Sequence, residues 1–150
     1  MLFRSFIALE AALAGGAEAV LIPEIPYSLL EICDQLRDQA QKGKRSSIIV
    51  VAEGAAKAND IKEFIQKNTG FEARNLVLGH MQRGGSPTAF DRVLALRLGA
   101  FAANRLLSGF RGEMTGVDGS KLVSHPLSYV LSTERTVDPE KLLLAEVMAQ

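Results

Sequence analysis

Three side chains in this sequence combine a carboxylate, an imidazole and a guanidinium where a fold could bring them to one ligand: Glu53, His80 and Arg83. Glu53 directly follows the apolar run Ser46–Ala52, and His80 and Arg83 directly follow Leu76–Leu78. If both runs are parallel strands, all three groups lie at carboxyl ends, the edge where open α/β sheets bind ligands. Arg83 offers a planar fork to phosphate oxygens, and His80 adds a further donor. Glu53 accepts hydrogen bonds from several hydroxyls at once. Gly84-Gly85 removes side chains where backbone would approach the ligand. The set suits a phosphorylated polyol. Taken alone, the loop from His80 to Gly85 supports an anion or sugar-phosphate site.

A second group gathers at the opposite, amino-terminal edge. Glu18 precedes the run Ala19–Ile22, while Lys42, Lys44 and Arg45 precede Ser46–Ala52. A seven-residue strand spans about 23 Å, so this group is too distant to share Glu53's ligand. Arg74 precedes its own run and belongs to the amino-terminal end as well. Basic side chains beside an acid suit a nucleotide diphosphate with its metal ion. Plainer alternatives exist for each element. A Lys-Gly-Lys-Arg run between helix and strand is more often a solvated turn, and an acid after a strand is more often a cap or a surface charge. His125, in Ser124-His125-Pro126, reads as a loop residue without chemistry. No Cys/His cluster has zinc spacing, and neither Gly-x-Ser-x-Gly nor Gly-x-Gly-x-x-Gly occurs.

The elements that must position these groups alternate between helix and strand, which predicts an α/β fold with a mostly parallel sheet flanked by helices. Ile7–Leu13 is helical and stops at Gly15-Gly16. Ala19–Ile22, closed by Pro23, and Ser46–Ala52 are continuous apolar runs of the kind buried on both faces. Between them Ser28 caps a helix to about Gln41, with Leu29, Ile32, Cys33 and Leu36 on one face. Asn59 or Asp60 caps a helix through Asn68 that turns Ile61, Phe64 and Ile65 inward and ends at Gly70. Leu76-Val77-Leu78 is the expected third strand. Ser86 at the cap and Pro87 at the first position start a long helix to Leu107. Gly112–Val123 reads as a hairpin about Asp118-Gly119, and Asp138-Pro139 opens a final leucine-rich helix.

At 150 residues, 47% of them hydrophobic, the chain has material for one domain with a core. Seventeen basic residues balance seventeen acidic ones, which excludes the basic excess that a nucleic-acid surface needs. Cys33 is the only cysteine, so no intrachain disulfide forms; its apolar neighbours mark a structural thiol, and a reducing compartment is expected. The first residues lack a basic leader region, and Glu10 interrupts their apolar run, so neither a signal peptide nor a membrane span is expected. The expected location is the cytoplasm.

The stretch Leu78-Gly79-His80-Met81-Gln82-Arg83-Gly84-Gly85-Ser86-Pro87, with Phe90-Asp91-Arg92 after it, resembles the signature of the bacterial ATP-dependent 6-phosphofructokinase family. Gly15-Gly16-Ala17-Glu18 with Pro23-Glu24, Lys42-Gly43-Lys44, and the strand end Val51-Ala52-Glu53 match the same family in order and spacing. The resemblance covers about Ile7 to Leu107 and is weaker afterwards. It implies the family's second domain, with a long helix returning toward a first, ATP-binding domain that these residues do not match. It also implies that Glu53, His80 and Arg83 bind fructose 6-phosphate, with Met81 and Gln82 lining the same loop. Arg74 would reach the substrate phosphate of a neighbouring subunit in a homotetramer. Glu18, Lys42 and Lys44, flanked by Gly16, Ala17, Arg45 and Ser46, would form an allosteric site for ADP or phosphoenolpyruvate, with Glu18 near an effector-bound magnesium ion. ATP, the catalytic magnesium ion and the catalytic base would belong to the unmatched half, and no kinase activity is expected of the chain alone. One departure stands out: where the family has Met-Gly-Arg-x-x-Gly, this chain reads Met1-Leu2-Phe3-Arg4-Ser5-Phe6. Two other classes fit the same residues, a non-catalytic module sensing nucleotide or sugar phosphate and a gene fragment without a function of its own.

Overall fold

Apolar runs short enough to be strands and apolar enough to be covered on both sides form the centre of the chain. In the computed structural model β1 (Ala19–Leu21) pairs in parallel with β2 (Ile49–Val51), in the register Ala19 to Ile49, Val20 to Val50 and Leu21 to Val51. The structure describes residues 3–134 and 136–148, without the side chains of Phe3, Arg4, His80 and Arg83. Met1 and Leu2, part of the departure noted above, lie outside the described residues.

Strand alternation divides the core in two. Leu21, Ile49 and Val51 pack with Cys33 and Leu36 of α2 (Leu29–Gln41) and with Ile61 and Ile65 of α3 (Ala58–Thr69). On the other face Val20, Ile22, Val50 and Ala52 pack with Ala8 and Leu9 of α1 (Phe3–Gly15) and with Leu142 and Ala145 of α6 (Pro139–Met148). The result is helix on sheet on helix, with Leu21, Ile22 and Cys33 no more than 1% exposed. Burial raises the Cys33 pKa, with smaller opposing effects of Arg37 and Asp34, so the thiol stays protonated and serves packing.

Local signals set most boundaries. Ser28 Oγ accepts from the Glu31 N–H (3.3 Å) and caps α2. Gly70 closes α3 at φ 74°, a left-handed conformation that costs other residues more. The cap of α3 falls at Lys57 rather than at Asn59 or Asp60. Asn59 Nδ2 instead donates to Glu63 Oε1 (2.6 Å) one turn on, and Asp60 sits in the first turn, where the helix dipole favours an acid.

The expected third strand is absent: Leu76-Val77-Leu78 has no ladder partner among the described residues. A strand exists only through its neighbour's hydrogen bonds, and here the chain leaving α3 is held instead by Gln66 Nε2 donating to Ala73 O (3.4 Å). Leu76 and Val77 are left 74% and 73% exposed. The run Ser46–Ala52 also shortens to three ladder residues, so the parallel sheet is small. The fold remains α/β, but not mostly parallel, because the other sheet is an antiparallel hairpin.

That hairpin belongs to a second compact unit, residues 78–135, inserted between the first unit's two segments, 1–77 and 136–150. It comprises a 3-10 turn (Gly79–Arg83), α4 (Ala89–Leu107), β3 (Glu113–Asp118), β4 (Lys121–Pro126) and the unforeseen short α5 (Leu127–Ser132). α4 starts two residues later than Pro87 predicts. Thr88 and Asp91 form a reciprocal cap, with the Asp91 N–H on Thr88 Oγ1 (3.3 Å) and the Thr88 N–H on Asp91 Oδ2 (2.7 Å). The far end of α4 is tied to the hairpin by two parallel bonds from Arg105 to Glu113 (2.8 and 2.6 Å), and the guanidinium lies 3.3 Å from the Phe110 ring centroid.

Truncating the centre of the sheet tests this layering. Leu21→Ala should cost about 2–5 kcal/mol in urea unfolding followed by circular dichroism. Leu131→Ala, at a side chain 85% exposed, should stay within about 0.5 kcal/mol of wild type.

Candidate functional site

The amino-terminal edge of the parallel sheet is organised around Glu18. As α1 ends, the Gly16 and Ala17 N–H groups bond back to Leu13 O (3.4 Å) and Ala12 O (2.9 Å) and turn the chain into β1. Glu18 then meets Ile48 twice. Its own N–H donates to Ile48 O (2.9 Å), and its carboxylate Oε2 accepts from the Ile48 N–H. A side chain here extends the β1–β2 ladder by a residue. The other oxygen, Oε1, pairs with Lys44 Nζ.

Lys44 arrives from the end of α2. The Lys42 N–H reaches Asp38 O (3.1 Å), the Gly43 N–H reaches Ala40 O (3.0 Å) and the Lys44 N–H reaches Gln39 O (3.0 Å). The backbone is thus fixed while the lysine side chain crosses to Glu18. The pair is asymmetric: the Glu18 side chain is 6% exposed and that of Lys44 43%. Burial pushes the Glu18 pKa up, but hydrogen bonds from Lys44, Ile48 and its own backbone, together with the Lys44 charge, hold it below the ordinary 4.5.

Of the residues expected at an effector site, the structure brings Glu18 and Lys44 into contact and sets Ala17 beside Glu18. Ala17 and Glu18 border a cavity of about 360 Å³ between α1, α2 and α6, which Glu31 and Glu146 also line. Lys44, Arg45 and Ser46 border a separate groove of about 1080 Å³ along β2 and α3. Gly16 and Lys42 border neither. Arg74 lines the same groove as Lys44–Ser46 and holds Glu72 at 2.8 Å in an exposed pair of little energetic weight; with no strand directly after it among the described residues, its expected place at a strand's amino-terminal end has no counterpart. Ser47 and Lys62 also face this groove. The sequence marks Lys62 only by its position beside the inward Ile61, a signal too common to single it out.

The carboxyl-terminal edge carries Glu53. It is exposed in a tight turn closed by the Ala55 N–H on Ala52 O (2.8 Å). Gly54 permits this turn to approach β1's exit, since a Cβ there would stand 3.3 Å from Pro23 Cγ. Tyr27 Oη donates to Ala55 O (3.1 Å) and fixes the same turn from the other strand's loop. Three residues of strand rise about 10 Å, so the two edges are closer than a seven-residue strand implies.

In the second unit, Gly79–Arg83 is a 3-10 turn rather than an open loop, with the Met81 N–H on Leu78 O (2.9 Å) and the Gly84 N–H on Met81 O (3.5 Å). Met81 is 73% exposed, and Gln82 is exposed too. The side chains of His80 and Arg83 lie outside the described set. Because Leu76–Leu78 is not a strand, the inference that carried these two residues to Glu53's edge loses its premise. Among the described residues no three His, Cys, Asp or Glu side chains gather as a metal site.

The depressed pKa of Glu18 gives a pH prediction. Its contribution to stability is fully present above the ordinary carboxylate value and is lost as pH falls through the lower, folded value. Glu18→Gln should therefore cost about 1–3 kcal/mol at neutral pH, and this difference from wild type should shrink with acidification. Urea midpoints measured across the acidic range check it; a constant difference would refute it.

The family model described as Phosphofructokinase matches residues 4–106. An ATP-dependent 6-phosphofructokinase of Bacillus velezensis is 46% identical over 143 residues, covering 95% of this chain and 45% of that protein. The enzyme of that name from Thermotoga neapolitana is 44% identical over 144 residues, with 96% and 45% covered, and that of Bacillus subtilis is 46% identical over 143, with 95% and 45% covered. The chain thus spans a little under half the length of these relatives, and it belongs to the phosphofructokinase family.

Proposed function

We propose that this chain supplies the sugar-phosphate-binding and effector-binding part, the C-terminal half, of an ATP-dependent 6-phosphofructokinase. In the reaction the terminal phosphoryl group of ATP passes to O1 of fructose 6-phosphate, leaving ADP and fructose 1,6-bisphosphate. One observation carries this: the family match over residues 4–106 takes in every candidate side chain from Gly16 to Arg83. The relatives bearing the enzyme's name support the same reading at 44–46% identity.

Within it, Arg83 and His80 bind the sugar's phosphate, and Glu53 accepts from its hydroxyls, with Met81 and Gln82 completing the loop. Arg74 reaches the substrate held by a neighbouring copy in a homotetramer. Lys42 and Lys44, with Gly16, Ala17, Glu18, Arg45 and Ser46, receive ADP or phosphoenolpyruvate. Bound magnesium neutralises charge on the transferring phosphates, and the residues that hold it and ATP, with the base for the O1 proton, lie outside the matched 45%. This chain's share is binding and orientation, which lower the barrier by fixing the acceptor in place. Glycolysis in the cytoplasm is the setting that follows.

Fructose 6-phosphate should bind the 150-residue chain in calorimetry, and Arg83→Ala should weaken binding about tenfold or more through loss of charge-assisted bonds. No heat at millimolar sugar phosphate would sink the assignment. A coupled assay with ATP, magnesium and fructose 6-phosphate should show no turnover by the chain alone; turnover would place the phosphoryl-transfer machinery within these residues.

Assembly has its own support in the second unit. α4 buries none of its residues, and Phe90, Val93, Leu96 and Leu107 are 74%, 55%, 74% and 86% exposed. Apolar surface of this kind marks an interface. The chain should self-associate on sizing chromatography, and Leu96→Glu should shift it toward monomer. A monodisperse wild-type monomer would contradict this.

A further inference from the structure

The anion site proposed above contains a contact that opposes its own ligand. Lys44, one of the basic residues that line the groove, is already held by Glu18. Lys42 and Arg45 pair with no carboxylate among the described residues. We propose that the Glu18–Lys44 ion pair is an autoinhibitory clasp, which an anionic ligand must open by drawing the Lys44 ammonium off the buried carboxylate. This inference rests on the reading of Lys42–Ser46 as an anion site.

The asymmetry of the pair dictates how it opens. Glu18 is almost fully buried and fixed at its second oxygen by the Ile48 N–H, so the carboxylate cannot follow its partner outward. Lys44 is half exposed, its backbone is fixed to Gln39 O, and its four-carbon stem can swing without main-chain movement. Opening leaves the carboxylate buried without its counter-charge. Glu31 of α2 and Glu146 of α6, which line the cavity beside Glu18, are also acids and offer it no replacement. The cost of that state is subtracted from the affinity of any anion that takes Lys44. Only a ligand able to compensate through the groove's other basic groups, Arg45 first among them, binds well.

Inorganic phosphate in a chelator-treated buffer is the probe, titrated by calorimetry into the whole chain. Glu18→Gln keeps a carbonyl oxygen for the Ile48 N–H but removes the attraction for Lys44. It should bind phosphate about tenfold more tightly than wild type, and Glu18→Gln with Lys44→Gln should lose that gain. Measurable binding with no change in Glu18→Gln overturns the clasp and leaves the anion site standing. No binding by any variant overturns both. Should Glu18→Gln fail to fold, the Glu18 carboxyl carbon resonance of the wild-type chain decides. Saturating phosphate should move its titration to higher pH as Lys44 leaves, and an unmoved titration overturns the proposal.

Discussion

A parallel pair of strands needs cover on both faces, and that constraint organises the first unit. Each three-residue strand sends alternate side chains to opposite sides, so α1 and α6 must close one face and α2 and α3 the other. The ladder is short enough to depend on its ends. Ala52 extends it at the exit through its N–H on Leu21 O (2.8 Å), and Glu18 extends it at the entrance with a side chain. The carboxylate acts where a backbone carbonyl would otherwise be needed, and it brings a charge that then requires Lys44. One structural requirement thus places an ion pair at the sheet's edge.

This arrangement gives the two edges different characters. The entrance holds one buried carboxylate paired with Lys44, and Lys44 and Arg45 open onto a groove lined by apolar residues of β2 and α3. The exit is an exposed turn shaped by contacts among Pro23, Gly54, Tyr27 and Ala55. A buried, neutralised carboxylate beside a half-exposed lysine suits a contact that is made and broken. The second unit relies on different forces: its α4 contributes no buried side chain, and Arg105, held between Glu113 and the Phe110 ring, joins helix to hairpin.

Much of the first unit's fold was legible because its signals are local, whereas of the candidate site only the sides on which Glu18, Lys44 and Glu53 fall could be read that way. Ser28, Gly70 and the alternating face Cys33–Leu36 each act within a turn or two of their own position, and each appears where the sequence puts it. The family likeness extends over residues 4–106 and needs no tertiary information. Elsewhere two local signals compete and the stronger one sets the boundary. Thr88 and Asp91 satisfy two helix-end donors together, which outweighs the preference of Pro87 for a first helical position. Asn59 has a partner one turn along, so it does not cap.

Amino-acid types and their spacing specify an α/β chain with two apolar strands, an inert buried thiol, an acid at the sheet's exit and a cluster of opposite charges at its entrance. These follow from residue type and short-range periodicity. The fold in three dimensions leaves Leu76–Leu78 without a ladder partner among the described residues, because a strand's existence depends on a neighbour's hydrogen bonds and not on its own composition. Likewise it alone decided that Glu18 and Lys44, 26 positions apart, are partners. Opposite charges in a sequence attract in principle; whether they meet depends on which backbone groups around them have been fixed and how much water the packing has removed.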